Sequence, residues 1–133
     1  MKKLILSSFG FKYGAPPDAN FVFDVRFFPN PYYVEELRPL SGRDEPVREY
    51  VKSFAEADSF LASSILFLNF VIPRYLESYR ETFHVAVGCT GGRHRSVTFV
   101  EWLGGYYGAE PADIGVKFEV ELRHRDVDKT PGP

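Results

Sequence analysis

One run of residues constrains this chain more than any other. Phe83–Gly88 is mostly apolar and passes directly into Cys89-Thr90-Gly91-Gly92-Arg93-His94-Arg95-Ser96, after which Val97–Tyr107 reads as a helix. A short apolar run bounded by glycines predicts a buried strand, and the apolar spacing after the loop predicts the helix. A strand that feeds a helix through a short glycine turn belongs to an α/β domain.

The rest of the chain fits that frame. Lys2–Ser8, with Leu4-Ile5-Leu6 at its centre, reads as a first strand, and the glycines and prolines of Phe9–Pro17 as a loop. Phe21–Phe28 is a second strand, stopped by Pro29-Asn30-Pro31. Tyr32–Asp44 is irregular with a helical turn, and Pro46–Val51 is a short helix. Phe54, Ala57, Leu61, Ile65, Leu68, Ile72, Leu76 and Tyr79 recur at helical spacing, with a kink expected at Pro73. Val116–Leu122 alternates apolar with charged residues, as a strand with one wet face does. Asp126–Pro133 is polar and reads as a frayed tail. The expectation is a single α/β domain over residues 1–133, with a mainly parallel sheet flanked by helices.

Charge and cysteine usage narrow the setting. Sixteen basic against 18 acidic residues give a net charge of −2, so bulk charge is a poor driver of nucleic-acid binding. Cys89 is the single cysteine, which forbids an intrachain disulfide and makes a reducing compartment the default. Met1–Leu6 lacks the apolar core of a signal peptide. Ile65–Ile72 is far short of the roughly 20 residues that cross a membrane. The expected location is the cytoplasm, without membrane contact. The aromatic group Phe11, Tyr13, Phe27, Phe28, Tyr32 and Tyr33 suits a core or a homo-oligomer contact better than base stacking.

The Cys89–Ser96 loop carries the chemistry. Backbone N–H groups at a helix start are unpaired and partly positive, and glycines let a ligand approach them. Arg93, His94 and Arg95 add donors, and Thr90 and Ser96 add hydroxyls. The combination predicts a phosphate or other oxyanion site at the carboxyl end of a strand; the plainer alternative is a glycine turn with solvated charges. Cys89 and Arg95 also have the spacing of cysteine-dependent phosphatases, with Ser96 following. Those enzymes usually carry a His where this chain has Gly88, and they need a general acid, for which Asp24 is a candidate that nothing singles out. Cys89 is equally explained as a small buried residue. No Walker A ending follows the glycines, and His84, His94 and His124 lack zinc-ligand spacing, so no cofactor or metal is expected.

Asp24 and Arg26 lie two apart in an otherwise apolar run, so on one strand they share a face and call for partners, either a ligand or each other's neighbours.

Four segments carry a resemblance: Ser8–Gly14, Phe23–Tyr33, Gly88–Val97 and His124-Arg125-Asp126. In this order they resemble the C-terminal domain of the RapZ family of bacterial RNase adapters, from Leu4 to about Lys129. The resemblance implies a fold like a sugar-phosphate-binding domain of phosphofructokinase. It also implies sensing of glucosamine-6-phosphate, binding of small RNA for presentation to an RNase, and oligomers. The family's P-loop nucleotide-binding domain is absent from this sequence, so NTP hydrolysis does not carry over. By resemblance, Thr90, Gly91, Gly92, His94, Arg95 and Ser96 hold the phosphate. Asp24, Arg26, Asn30 and Tyr32 lie across the cleft near the sugar, and Ser7, Phe9 and Gly10 close the pocket. Lys12 either reaches the phosphate or is solvated. Tyr32 stands where the family commonly has a His. The tail from Lys117 balances its bases against its acids, without the basic cluster of an RNA-binding tail. The leading expectation is a non-catalytic sensor of a phosphorylated sugar; an RNA-binding adapter and a cysteine-dependent phosphatase are the alternatives.

Overall fold

The computed structural model describes residues 2–77, 80–109 and 113–130. Four strands, β1 (Lys3–Gly10), β2 (Phe21–Asp24), β3 (Thr82–Cys89) and β4 (Glu119–His124), form one sheet in the order β2-β3-β1-β4. All three pairings are parallel. Leu4 stands opposite Phe83 and Val120, Gly10 opposite Cys89, and Asp24 opposite Gly88. The expected α/β domain with a parallel sheet is the one observed.

Alternation along the strands decides where the core lies. Leu4, Leu6, Phe83, Val85, Val87 and Cys89 share one face and are buried there against α2 (Ala55–Leu76) and α3 (Arg95–Gly108) through Leu68, Ile72, Leu76, Phe99, Val100, Leu103 and Tyr107. The shorter α1 (Glu45–Lys52) adds Val51 to the same cluster. The alternate positions Lys3, Ile5, Ser7, His84, Ala86, Glu121 and Arg123 point to the opposite face, which carries no described helix. Lys3 Nζ bonds Glu121 there at 3.0 Å, and Arg123 pairs with the same carboxylate.

The boundaries differ from the sequence expectations for local reasons. β2 stops at Asp24 because that carboxylate accepts the Arg26 N–H at 2.9 Å and turns the chain; Val25 and Phe28 then bury inward. Arg26 is thus outside the strand. β4 starts at Glu119, where its N–H reaches the Lys2 carbonyl, and runs on to His124. Within the tail, Asp126 and Val127 are buried, at 0% and 2% exposure, whereas Asp128, Lys129 and Thr130 are exposed. Residues 131–133 and Tyr79 lie outside the described residues.

α2 is 22 residues long, and as a whole it is long and apolar enough to cross a membrane, which Ile65–Ile72 alone is not. In this fold its Leu68, Ile72 and Leu76 are fully buried in the domain core, while Leu66, Phe67 and Phe70 remain exposed.

Candidate functional site

The site begins where β1 and β3 end side by side. Gly92 has φ 76°, the left-handed region that glycine tolerates. A Cβ there would lie 2.4 Å from the Gly10 nitrogen, and one on Gly10 would lie 2.5 Å from the Gly91 carbonyl carbon. The glycines are therefore demanded by backbone pressed on backbone. Asp126, arriving after β4, locks the crossing by accepting the Gly10 N–H at 2.8 Å. Burial pushes the Asp126 carboxyl up, but hydrogen bonds from Arg125, Lys129 and Gly10 outweigh it and hold the group below the usual carboxylate range.

The loop is also fastened from outside. The Thr90 carbonyl accepts the Lys12 N–H at 3.2 Å, and the Arg93 carbonyl accepts the Gly42 N–H at 2.9 Å. In a trans peptide the C=O and N–H point opposite ways, so the Gly91 and His94 N–H groups turn away from these neighbours.

Arg95 opens α3 from beneath this loop and is 4% exposed. Its Nη1 donates to the carbonyls of Arg26 (2.7 Å) and Phe28 (2.9 Å), and its Nη2 to Thr90 Oγ1 (3.4 Å). Its Nε is buried and has no partner. Burial pushes the guanidinium below its ordinary value, with Cys89 and Asp24 pulling it back up; arginine stays charged. A buried cationic donor without an acceptor is costly and is satisfied by an anion. Beside it, the Ser96 N–H donates to Cys89 Sγ at 3.4 Å, and Ser96 Oγ lies 3.1 Å from the sulfur.

Across the opening, Asp24 grips Arg26, Nη2 to Oδ2 at 2.7 Å, and the guanidinium lies over the Phe11 ring at 4.0 Å. The Arg26 hydrogen bonds hold the Asp24 carboxyl below its usual range. This is the internal pair that the two-residue spacing allowed. It lies close enough to Arg95 for the charges to interact.

The structure thus brings Asp24, Arg26, Thr90, Gly91, Arg95, Ser96 and Cys89 together. It turns other expected site residues elsewhere. Arg93 spends its guanidinium on the carbonyls of Pro39, Leu40 and Val127, and is a strut between segments. His94 Nε2 bonds the Leu37 carbonyl at 3.1 Å, and burial pushes its pKa below the ordinary imidazole value. Ser7 is on the helix-free face, 2.7 Å from His84 Nε2. Phe9 is fully buried, edge-on to Phe11. Asn30 caps a short turn by accepting the Tyr32 N–H, and the Tyr32 ring packs on Tyr33 and under Arg38. Lys12 is exposed, with its Nζ 5.3 Å from the centre of the Tyr13 ring. Sequence reasoning missed the bracing role of Asp126, for which the His124-Arg125-Asp126 motif was the available signal. It also missed the carbonyls of Arg26 and Phe28, which no side-chain pattern announces. Among the described residues no group of three or more His, Cys, Asp or Glu lies together as a metal site.

Comparison with known proteins places the chain in a family. Residues 2–128 match the family described as the RapZ C-terminal domain. Among relatives, a nucleotide-binding protein of Bacillus velezensis is 45% identical over 122 residues, covering 92% of this chain and 39% of the relative. Nucleotide-binding proteins of Bacillus thuringiensis and Bacillus mycoides are each 46% identical over 125 residues, covering 94% of this chain and 40% of their own length. The chain spans about two-fifths of the curated relatives it matches. A match over 127 residues, with relatives near 45% identity, establishes that the chain belongs to the RapZ C-terminal domain family.

Proposed function

We propose that this domain is a sensor of a phosphorylated amino sugar such as glucosamine-6-phosphate, non-catalytic toward that ligand. The observation that carries the reading is the Arg95 guanidinium, buried, charged and with an unpaired Nε at the base of the loop. A phosphate seated there accepts from Nε, from the Gly91 and His94 N–H groups and from the Thr90 hydroxyl. The Asp24–Arg26 pair at the rim supplies a carboxylate for a sugar ammonium or hydroxyl.

The same guanidinium couples the loop to a protein-binding surface. It holds both carbonyls flanking Phe27, which is 62% exposed and packs edge-on to Phe60 of α2. An apolar hollow of about 400 Å³ between Phe27, Phe28, Pro29, Phe54 and Glu56 opens beside it. An anion that redraws the Arg95 hydrogen bonds shifts the turn that presents Phe27, and so biases assembly or partner docking on this face. The setting is a cytoplasmic homo-oligomer. The net charge of −2 gives small RNA no comparable electrostatic footprint.

Calorimetric titration tests the reading with glucosamine-6-phosphate, glucosamine, inorganic phosphate and a nucleoside monophosphate, on wild type, Arg95→Ala and the milder Thr90→Ala. The phosphosugar binds tightest, glucosamine alone does not bind, and both variants weaken the interaction. Binding of none of the four rejects the sensor; preference for the nucleotide replaces the sugar as ligand.

A further inference from the structure

The cysteine at the floor of the loop is not used by a sensor. Cys89 ends β3, five residues separate it from Arg95, and Ser96 follows in the first turn of α3. In space these residues converge: the Ser96 N–H and hydroxyl meet Sγ, and Arg95 adjoins both Cys89 and Thr90. Cys89 is 2% exposed. The buried Arg95 Nε, which has no hydrogen-bond partner, is the sign that an anion belongs beside it.

We propose that Cys89 is a phosphoryl acceptor for activated phosphates, namely acyl and aryl phosphates. The inference rests on the phosphate site described above. The Cys89 thiolate attacks phosphorus; an S–P bond forms and the P–O bond to the leaving group breaks, its electron pair leaving with that oxygen. Water then attacks the phosphocysteine, giving inorganic phosphate and the thiolate, with one proton released to solvent. The loop N–H groups and Arg95 hold the equatorial oxygens during both transfers.

The restriction to activated donors follows from Asp24. Asp24 is the carboxylate at the rim, and Arg26 holds it in its ionised form. It therefore has no proton for an alkoxide. A carboxylate or phenolate leaves without one, whereas a sugar alkoxide does not. The same site thereby retains a phosphosugar intact and is phosphorylated by a more reactive donor.

The experiment incubates the full chain with acetyl phosphate or p-nitrophenyl phosphate and follows intact mass at neutral pH together with p-nitrophenolate release. Inorganic phosphate binding is measured in parallel. The wild type gains the mass of one phosphoryl group, mapped to Cys89, and orthovanadate prevents the labelling. Cys89→Ser loses the label yet still binds inorganic phosphate. Ser96→Ala, which leaves the sulfur in place, slows labelling by about tenfold or more. Inorganic phosphate binding with no adduct and no p-nitrophenolate, or a label on another residue, overturns the inference and leaves the sensor standing. Absence of any phosphate binding overturns both.

Discussion

Arg95 reaches across to Phe28: its Nη1 donates to the Phe28 carbonyl at 2.9 Å and to Arg26 at 2.7 Å, so one buried side chain belongs to the loop and to the turn after β2. Arg95→Lys keeps a charge but loses the planar fork. It is expected to leave a carbonyl unsatisfied, costing about 1–3 kcal/mol, and to weaken phosphosugar binding by roughly 10–100-fold. Urea unfolding and calorimetry measure the two effects. Wild-type affinity in this variant places the anion elsewhere.

Asp126 is expected to be among the most sensitive polar positions. Asp126→Asn removes the charge that Arg125 and Lys129 share while keeping its size; a loss of about 2–4 kcal/mol at pH 7 is expected. Because the folded carboxyl sits below its unfolded value, its contribution is complete above about pH 4 and disappears as pH falls through the folded pKa. Acid titration of stability should therefore bring the wild type toward the variant, not the reverse.

The glycines separate into two kinds. Gly92→Ala forces a Cβ into the Gly10 backbone at a left-handed φ, and a loss of more than about 2 kcal/mol is expected. Gly105→Ala, within α3 and facing open space, should stabilise by about 0.5–1 kcal/mol. Thermal unfolding of the pair distinguishes backbone packing from chance glycine usage.

His94 makes the fold sensitive to mild acid. Burial pushes its pKa below the ordinary 6.5, so its contribution is complete above that value and is lost as pH falls toward the folded pKa. Part of the loss of stability as pH falls below about 6.5 should disappear in His94→Gln. An unchanged profile would show that another group titrates there.

The exposed face of α2 should govern self-association. Leu66 and Phe70 are 77% and 59% exposed, so serine at both sites should leave monomer stability within about 0.5 kcal/mol. Concentration-dependent mass, measured by sedimentation, is expected to fall to that of the monomer. Retention of the wild-type oligomer in this double variant would move the interface off α2.

Much of the architecture was legible because periodicity reports it directly. The apolar runs around Leu4–Leu6 and Val85–Val87, and the helical spacing through Leu68, Ile72 and Leu76, specify parallel strands and a packed helix. The loop was legible because glycines, bases and a helix start coincide. What escaped was the direction of individual side chains. Arg93, His94 and Arg95 are consecutive and chemically alike as donors, yet only Arg95 turns into the site. Helix geometry sends Arg95 under the loop, whereas the carbonyls of Leu37, Pro39 and Leu40 capture its two neighbours. Such capture depends on where an irregular segment passes, which no local pattern encodes. The end of β2 escaped for a similar reason: the apolar run continues to Phe28, but the Asp24 carboxylate turns the backbone first.

The crossing of Gly10 over Gly91 and Gly92 also bears on the thermodynamics of recognition. A loop fixed by Asp126 below and by the Lys12 and Gly42 amides outside has little conformational freedom left to lose. Ordering entropy, which offsets much of the gain when flexible loops close on ligands, is small here. Stripping water from the anion and the buried guanidinium becomes the main opposing term, so affinity should depend on the ligand's charge more than on its size.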